Sequence, residues 1–353
     1  MKQSALALAV LAALSLDHSA YAQSNVQVYG LIDAGVEYVN HAQENGGNQV
    51  RVISGGKNTS RWGLRGSEDL GGGLKAIWQL EGGILMDTGA SDGPVFKRQA
   101  WVGLDGALGR LVIGRSFTTT YELVIKFDPL GFAPNYSWAT GASATGPSKY
   151  GMTTQFDNLV KYTGKSGGFT YGATVGLGER SGSLAEGRKL AVGGSWFGAD
   201  GLGLMASYEQ INGNAVAGVP ARDETRAYHL GADYRTGKWR YTAGMRGFKL
   251  DAARLGADLR ADTFWTGITR TIDNVTLTGA VYHVNTANVP ALEDADPTMF
   301  VVRGMLALSK RTDLYLSVAH AKADHGQLLG LSRDDPGYGS RQSGITAGMQ
   351  HRF

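Results

Sequence analysis

Alternation between apolar and polar side chains is the dominant pattern of the chain. From Val26 to Tyr38 every second residue is apolar or glycine, whereas the intervening positions mix polar and apolar types. The segment from Ile345 to Phe353 alternates in the same way, with His351 interrupting its apolar face. A β-strand projects successive side chains to opposite faces, so each segment predicts a strand with one apolar and one mixed face. Further alternating segments occur at residues 202–208, 228–234 and 275–281.

Short clusters rich in Gly, Asp, Asn and Lys punctuate the alternating segments. The seven clusters lie at residues 69–73, 105–109, 164–168, 198–201, 235–238, 271–274 and 310–313. Their usual spacing of about 36 residues fits two strands of roughly ten residues, one tight turn and one longer loop. Seven hairpins, with one strand before the first and one after the last, predict about sixteen strands and place both termini on the same side.

The connections between successive hairpins are longer and fall on the opposite rim of the predicted sheet. They cover residues 41–58, 87–95, 116–154, 178–187, 212–224, 251–261, 285–297 and 322–343. Short turns on one rim and long loops on the other are typical of an outer-membrane barrel. A soluble β-sandwich would have shorter, less uniform strands, and a propeller would repeat a blade signature every 40–45 residues or so. We therefore predict an all-β fold, a sixteen-stranded antiparallel transmembrane β-barrel.

The first residues have the features of an export signal. Lys2 precedes an apolar run at residues 5–16, and the small residues at 20 and 22 fit an A-x-A cleavage pattern. The run is too short for a helix that spans a membrane, which needs roughly 20 apolar residues. We predict a signal peptide at residues 1–22 and a barrel at residues 23–353; the alternative is a short, buried N-terminal helix.

Composition narrows the classes of chemistry that the chain could perform. The 353 residues include 52 glycines but only 8 prolines and no cysteine, and 18% of them are charged. The lack of cysteine excludes disulfide scaffolds, thiol nucleophiles and cysteine-ligated metal sites. Glycine without a three-residue period excludes collagen. The low charge fits a wall in which half of the side chains face lipid.

One connection, residues 116–154 (the long loop), is much longer than the others. It carries the aromatic side chains of Tyr121, Phe127, Phe132, Tyr136 and Trp138. Surface loops are normally polar, and connections longer than about 15 residues are usually functional. We predict that the long loop folds into the barrel and narrows it. The alternative is a large extracellular loop.

The chain carries no recognisable catalytic constellation. Its histidines, such as His229 and His283, do not lie in a motif with a nucleophilic serine, and no G-x-S-x-G sequence occurs. The acidic residues of the loops lack the spacing of a calcium-binding loop. We expect no enzymatic activity, no metal site, no cofactor and no nucleic-acid partner.

Several segments resemble the general porins of β-proteobacterial type. They read VQVYGLIDAGVEY at residues 26–38, TSRWGLRGSEDLGGGLKAIWQLE at 59–81, FKRQAWVGL at 96–104 and LGRLVIGR at 108–115. The likeness covers essentially the whole mature chain. It implies a homotrimeric, sixteen-stranded barrel in the outer membrane of a Gram-negative bacterium, with an inward-folded third loop. It also implies passive diffusion of small hydrophilic solutes and ions, contact with lipid and lipopolysaccharide, and insertion by the barrel-assembly machinery.

The resemblance also implies a pore constriction with basic side chains on the wall and acidic side chains on the loop. By motif position, Arg61 and Arg98 correspond to the arginines of the basic wall. Glu122 and Asp128 are the acidic residues near the start of the long loop. A further arginine is usual just before the strand after this loop, but Gln155 stands there instead. The departure leaves the ion preference open.

Other residues extend this predicted constriction. Arg65 shares the inward parity of Arg61, and Lys75 and Arg115 are further candidates for the basic wall. The alternative for each is a solvated or inter-strand ion pair. Because rings of basic side chains favour anions and the net charge is +3, we expect a weak anion preference. Phe353, a C-terminal aromatic residue, matches the signal that the assembly machinery reads in such barrels.

Two rival functions remain open at this point. A substrate-specific porin would carry a sugar or a small organic anion past an aromatic track. A plugged structural or adhesive barrel is the second rival. Small structural barrels have about eight strands and are filled by their own side chains, so a count of sixteen argues against it.

Overall fold

The computed structural model describes residues 25–140, 151–215, 222–253, 258–287, 295–332 and 337–353. The predicted signal peptide at residues 1–22 lies outside the described residues. Within the described ranges, no helix is long and apolar enough to cross a membrane.

Seventeen β-strands account for most of the described chain. In chain order they are β1 Asn25–Val39, β2 Gln49–Ser54, β3 Arg61–Gly71, β4 Leu74–Gly83, β5 Gln99–Gly106, β6 Gly109–Phe117, β7 Gln155–Ser166, β8 Phe169–Gly176, β9 Lys189–Phe197, β10 Leu202–Asn212, β11 Glu224–Thr236, β12 Trp239–Asp251, β13 Leu259–Ile272, β14 Val275–Ala287, β15 Thr298–Ala307, β16 Thr312–Lys322 and β17 Arg341–Arg352. All seven predicted tight turns lie between paired strands of this series, which explains why the turn clusters counted the hairpins correctly.

The sheet closes on itself as a barrel of sixteen strand positions. Neighbours in sequence pair antiparallel, and β1 pairs with β17, for example through Gly35 and Gly348. Both β2 and β3 pair with β1, the former opposite Ala34–Val39 and the latter opposite Asn25–Leu31. They therefore occupy one position in the wall, which residues 55–60 interrupt. The prediction of a sixteen-stranded antiparallel barrel is confirmed.

The sequence predicts a loop at residues 41–58, which are rich in glycine and polar side chains, and this prediction is wrong for the short strand β2. The structure instead extends the hairpin through Gln49–Ser54, and Val50 and Val52 are 70% and 58% exposed on the outer face. The alternation is too short to be recognised between glycines. Only its pairing with β1 identifies it as a strand.

The outer face of the barrel is apolar, as the alternation predicts. Val26, Val28 and Val36 of β1 are 62%, 62% and 54% exposed, whereas Asp33 and Glu37 of the same strand are buried inside. A charged side chain on the lipid face would cost about 2–4 kcal/mol at mid-membrane. Parity therefore fixes which residues face the lumen.

The described part of the long loop, residues 118–140 and 151–154, folds into the barrel. Because β6 extends through Phe117, the loop begins at Thr118, whose hydroxyl accepts a hydrogen bond from the Tyr121 amide and caps helix α1, Thr119–Val124. A 3₁₀ turn, Ile125–Phe127, follows. The side chains of Phe127 and Trp138 are fully buried in an apolar cluster inside the barrel.

This cluster fills one side of the lumen. The inner faces of β10–β16 contribute apolar side chains to it, and the large ones include Met205, Phe248, Trp265, Tyr282 and Met299. An isolated barrel interior of this size would be wet, so such an apolar inner wall requires a covering element. The long loop supplies that cover, and open space remains on the side of β3–β8.

Candidate functional site

Two cavities lie between the long loop and the inner wall of β3–β8. The loop-side cavity, of about 690 Å³, reaches Asp92 and Lys97 near the rim of long loops. The turn-side cavity, of about 550 Å³, reaches Asp105 at the rim of tight turns. Both are lined by Gln99, Tyr121 and Ile125, so the cavities meet there. Together the two cavities extend from one rim of the barrel to the other beside helix α1.

Two arginines and one glutamate form the charged centre of the loop-side cavity. Arg98 Nε donates to Glu81 Oε1 over 2.8 Å, and Arg61 Nε lies 3.8 Å from Glu81 Oε2. Arg61 also donates to the Thr59 carbonyl at 2.9 Å. The Glu81 side chain is only 5% exposed. One carboxylate thus contacts two guanidinium groups, and one positive charge stays uncompensated.

The backbone explains why these three side chains meet. Arg61 is the first residue of β3, directly after the interruption of the second wall position. Glu81, on β4, lies opposite Gly63 of β3. The amide of Arg98, the residue just before β5, donates to the Glu81 carbonyl over 3.2 Å. The motif positions predict both arginines on the basic wall, and the structure places both beside Glu81. Glu81 was missed, although its inward parity with Gln79 on a spanning strand could have indicated it.

Arg115 shares the loop-side cavity, whereas Arg65 and Lys75 do not line it. Arg115 pairs with Asp157 and donates to the Lys97 carbonyl. Arg65 donates to Gln27 at 2.9 Å and lies over the Tyr29 ring.

Lys75 is exposed near the rim of tight turns. It is opposite Asp69 on β3 and Asp105 on β5. The predicted basic wall is therefore divided: three of its members border the loop-side cavity, and two lie closer to the turns.

Neither of the two loop acids, Glu122 and Asp128, lies beside Arg61 or Arg98. Glu122 accepts from Lys161 Nζ over 2.7 Å and borders the turn-side cavity. Asp128 is 1% exposed, and its carboxylate accepts hydrogen bonds from four donors. These are the amide of Leu130 at 3.3 Å, the amide of Phe132 at 2.6 Å, the hydroxyl of Ser137 at 2.8 Å and the hydroxyl of Tyr282 at 2.6 Å. The carboxylate of Asp128 ties the loop to itself and to β14.

Both cavities carry more basic than acidic side chains. The loop-side cavity is lined by Arg61, Lys97, Arg98 and Arg115 against Glu81 and Asp92. The turn-side cavity is lined by Arg110, Lys126, Lys161 and Lys165 against Asp105 and Glu122. Burial lowers the pKa of Lys126, and the nearby charge of Glu122 acts in the opposite direction. Gln155 borders the loop-side cavity without adding charge.

The end of β6 and the long loop together present an aromatic surface to the loop-side cavity. The rings of Phe117 and Tyr121 stack with centroids 4.5 Å apart, and the Phe132 centroid lies 5.1 Å from that of Tyr121. The guanidinium carbon of Arg98 lies 5.3 Å from the Phe117 centroid. The cavity is therefore amphipathic: charged side chains of the barrel wall and of the β4–β5 connection lie in the same lining as the three rings.

Buried polar contacts hold the tip of the long loop against β1. Asn135 Nδ2 donates to Glu37 Oε1 over 2.7 Å, and the Tyr136 hydroxyl donates to the same oxygen at 3.1 Å. Burial and the Glu37 charge raise the pKa of Tyr136, which keeps the hydroxyl protonated as a donor. Arg51 pairs with Glu37 at 2.6 Å. These contacts fix the loop to β1 at Asn135 and Tyr136.

The sequence model of the Gram-negative porin family matches residues 6–326 of the chain. The chain belongs to this family. Outer membrane porin protein 32 of Delftia acidovorans is 31% identical over 367 aligned positions, which cover 100% of both chains. An outer membrane porin protein of Bordetella pertussis (strain Tohama I) is 32% identical over 66% of each chain.

Solved porin structures share the fold of this porin. The anion-selective porin from Comamonas acidovorans superposes with a TM-score of 0.80 at 26% identity, over 94% of this chain and 100% of that one. OmpT of Vibrio cholerae, in its trimer form, gives a TM-score of 0.70 over 94% of this chain and 99% of that one; at 17% identity, this shows the fold alone.

The family and the closed barrel together assign the activity. This porin is a channel of the Gram-negative outer membrane for the diffusion of small hydrophilic solutes. The resemblance stated from the sequence is confirmed. The family and fold point to a channel rather than an enzyme.

Proposed function

We propose that this porin prefers anions and that Arg61, Glu81 and Arg98 form its selectivity site. The observation that carries the proposal is the sharing of one carboxylate between two guanidinium groups, which leaves one positive charge beside the path. Arg115 is the third member of the basic wall at this level, and its pairing with Asp157 reduces its contribution. The name of the anion-selective Comamonas relative supports the same sign.

A single charge is sufficient for a weak preference. A unit charge about 5 Å from the path of an ion changes the energy of that ion by about 0.8 kcal/mol in water, and by about 0.4 kcal/mol when 0.15 M salt screens it. The same charge lowers the energy of an anion and raises the energy of a cation by equal amounts, so one charge favours anions over cations by about fourfold to fivefold. The excess of basic groups in both cavities acts in the same direction along the whole path.

Arg65 and Lys75 contribute to this proposal at longer range. Both belong to inward positions near the turns, where they attract anions that leave or enter the turn-side cavity. Glu122 lowers the local positive potential on the loop side of that cavity. Asp128, in contrast, contributes by holding the long loop in position, because its carboxylate is buried and accepts four hydrogen bonds.

We further propose that the mature chain begins near Gln23, after removal of residues 1–22, and assembles as a homotrimer. The trimer is supported by the resemblance to general porins and by membership of the Gram-negative porin family. The apolar outer face would contact lipid, with lipopolysaccharide in the outer leaflet. Phe353 would act as the signal read by the barrel-assembly machinery.

Single-channel recording in planar bilayers tests the proposed selectivity. In a KCl gradient, refolded porin should give stepwise, ohmic conductance and a reversal potential displaced toward that of chloride. A reversal potential on the potassium side would refute the anion preference. The absence of conductance from folded protein would refute an open path through the barrel.

A further inference from the structure

Three aromatic residues line the open cavity, and they form a continuous surface that we call the aromatic strip: Phe117, Tyr121 and Phe132. The other rings of the long loop have a different role. Phe127, Tyr136 and Trp138 have no exposed surface and pack into the apolar cluster. Phe132, which is 5% exposed, belongs to the same cluster, and Tyr121 packs against it. The aromatic strip is therefore the edge of the apolar cluster that borders the open cavity.

The backbone holds this strip in place at a conformational cost. Phe132 has a φ of 59°, in the left-handed region that bulky residues avoid. Its amide donates to Asp128 Oδ2 over 2.6 Å, and this carboxylate is itself fixed by the hydroxyl of Tyr282. Strain of this kind persists only where the surroundings enforce it, and it is concentrated at functional sites. Here it places the Phe132 ring beside Tyr121 in the cavity wall.

The charged centre lies next to the aromatic strip within the same cavity. Arg98 contacts both, because its Nε binds Glu81 and its guanidinium group lies over the Phe117 ring. The terminal nitrogens of an arginine provide further N–H donors beyond the Nε bond. One cavity of about 690 Å³ therefore offers guanidinium donors for a carboxylate and an aromatic surface for a flat apolar ring. A solute that carries both groups can contact both at once.

We propose that the aromatic strip and the Arg61–Arg98 pair form a binding subsite for aromatic carboxylates of the benzoate class. The carboxylate accepts hydrogen bonds from the guanidinium groups, and the ring lies against the aromatic strip. The inference rests on the proposed anion preference and adds a substrate class to it. A sugar lacks the charge that the net positive lining favours, and an inorganic anion lacks the ring.

Such a subsite slows the passage of the solutes that it binds. A small ion such as chloride interacts with the charge alone and leaves quickly. Benzoate gains ring contacts in addition, and an aromatic contact changes affinity by about two- to tenfold. Benzoate should therefore reduce the chloride current at concentrations where acetate, with the same charge and no ring, has little effect.

The test is the block of chloride current by added benzoate, recorded in planar bilayers from the refolded full-length mature porin. Acetate tests the charge alone, and glucose tests the sugar alternative. Tyr121→Leu and Phe117→Leu should each weaken the benzoate block by about two- to tenfold, with the acetate response unchanged. Phe300→Leu, which replaces an aromatic residue on the lipid face, is the matched control and should behave as the parent.

The possible failures separate this inference from the proposed function. Equal responses to benzoate and acetate in the parent porin would overturn the aromatic subsite, while a reversal potential displaced toward that of chloride would keep the anion preference intact. Block by glucose but not by benzoate would show a sugar track instead. If both Leu variants fold and block as the parent does, the aromatic strip is not the binding surface. A parent porin that prefers potassium refutes the proposed function whatever benzoate does.

Discussion

Arg98 and Glu81 are joined twice: the Arg98 side chain binds the Glu81 carboxylate at 2.8 Å, and the Arg98 amide binds the Glu81 carbonyl at 3.2 Å. The double contact fixes the guanidinium group just before β5, in the loop-side cavity and next to Gln99, which lines both cavities. Since Glu81 also faces Arg61, its negative charge is divided between two cations. The proposed selectivity site is therefore a triad rather than two separate arginines.

Replacement of Arg98 by serine should weaken the anion preference. Arg98→Ser leaves Arg61 and Glu81 as a balanced pair, and the permeability ratio of chloride to potassium should fall by about fourfold to fivefold in 0.15 M salt. The reversal potential in a KCl gradient measures this ratio. Arg270→Ser is the control, because Arg270 lies over the Trp239 ring and borders neither cavity. An unchanged ratio in Arg98→Ser would show that Arg98 does not act on the permeating ions.

Neutralising Glu81 should have the opposite effect. Glu81→Gln leaves two positive charges beside the path, so the permeability ratio of chloride to potassium should rise by a similar factor. The reversal potential should then move further toward that of chloride. The glutamine keeps an oxygen that accepts from Arg98, and the variant should fold as the parent does. A shift toward potassium would mean that Glu81 matters mainly because it orients the arginines, and the charge argument would then fail.

Asp128 illustrates what sequence alone could and could not predict. Its place near the start of the long loop, among pore residues, suggested a charge that faces the arginines. Its actual environment depends on Tyr282, which lies 154 positions further along the chain and supplies one of four hydrogen bonds. No local pattern encodes that contact. Burial turns a candidate pore charge into an anchor of the loop.

The barrel itself was predictable because lipid imposes a simple rule on each strand. Val26, Val28 and Val36 alternate with lumen-facing residues, and the same parity places Arg61 inside and Trp62 outside. The position of Glu81 follows from parity too, but its partnership with two arginines does not. That partnership arises from the register between β3, β4 and the residue before β5.

Asp128→Asn should destabilise the porin without changing its selectivity. The amide group of asparagine places N–H donors among four existing donors, and each buried group left unsatisfied costs about 1–3 kcal/mol. We expect a lower free energy of unfolding in urea, together with noisier channel currents because the loop is less firmly held. The reversal potential should stay within error of the parent. An increase in anion preference at unchanged stability would instead restore Asp128 to the pore lining.

Phe353 pairs with Gly30 of β1, and the Phe353 ring can have two roles. It can stabilise the closed barrel, or it can act as the signal for the assembly machinery. Gly30 and Phe353 exchange backbone hydrogen bonds of 3.0 and 3.1 Å, and the Phe353 ring lies over Gly30, where an added Cβ would come within 2.2 Å of it. Gly30→Val therefore displaces the ring but keeps Phe353 at the C-terminus. Phe353→Ala removes the ring altogether. Both variants should lower the unfolding free energy of refolded barrels by about 1 kcal/mol, because apolar contact with the wall is lost.

Assembly in cells distinguishes the two variants if Phe353 is a signal for the assembly machinery. The amount of folded porin in isolated outer membranes, read as the fraction that migrates as a compact species without heating, is the measurement. Phe353→Ala should reduce this amount strongly, whereas Gly30→Val should assemble at nearly the parental level, since the terminal aromatic is still present. Equal losses in the two variants would attribute the whole effect to barrel closure, because a displaced ring and a missing ring would then be equivalent.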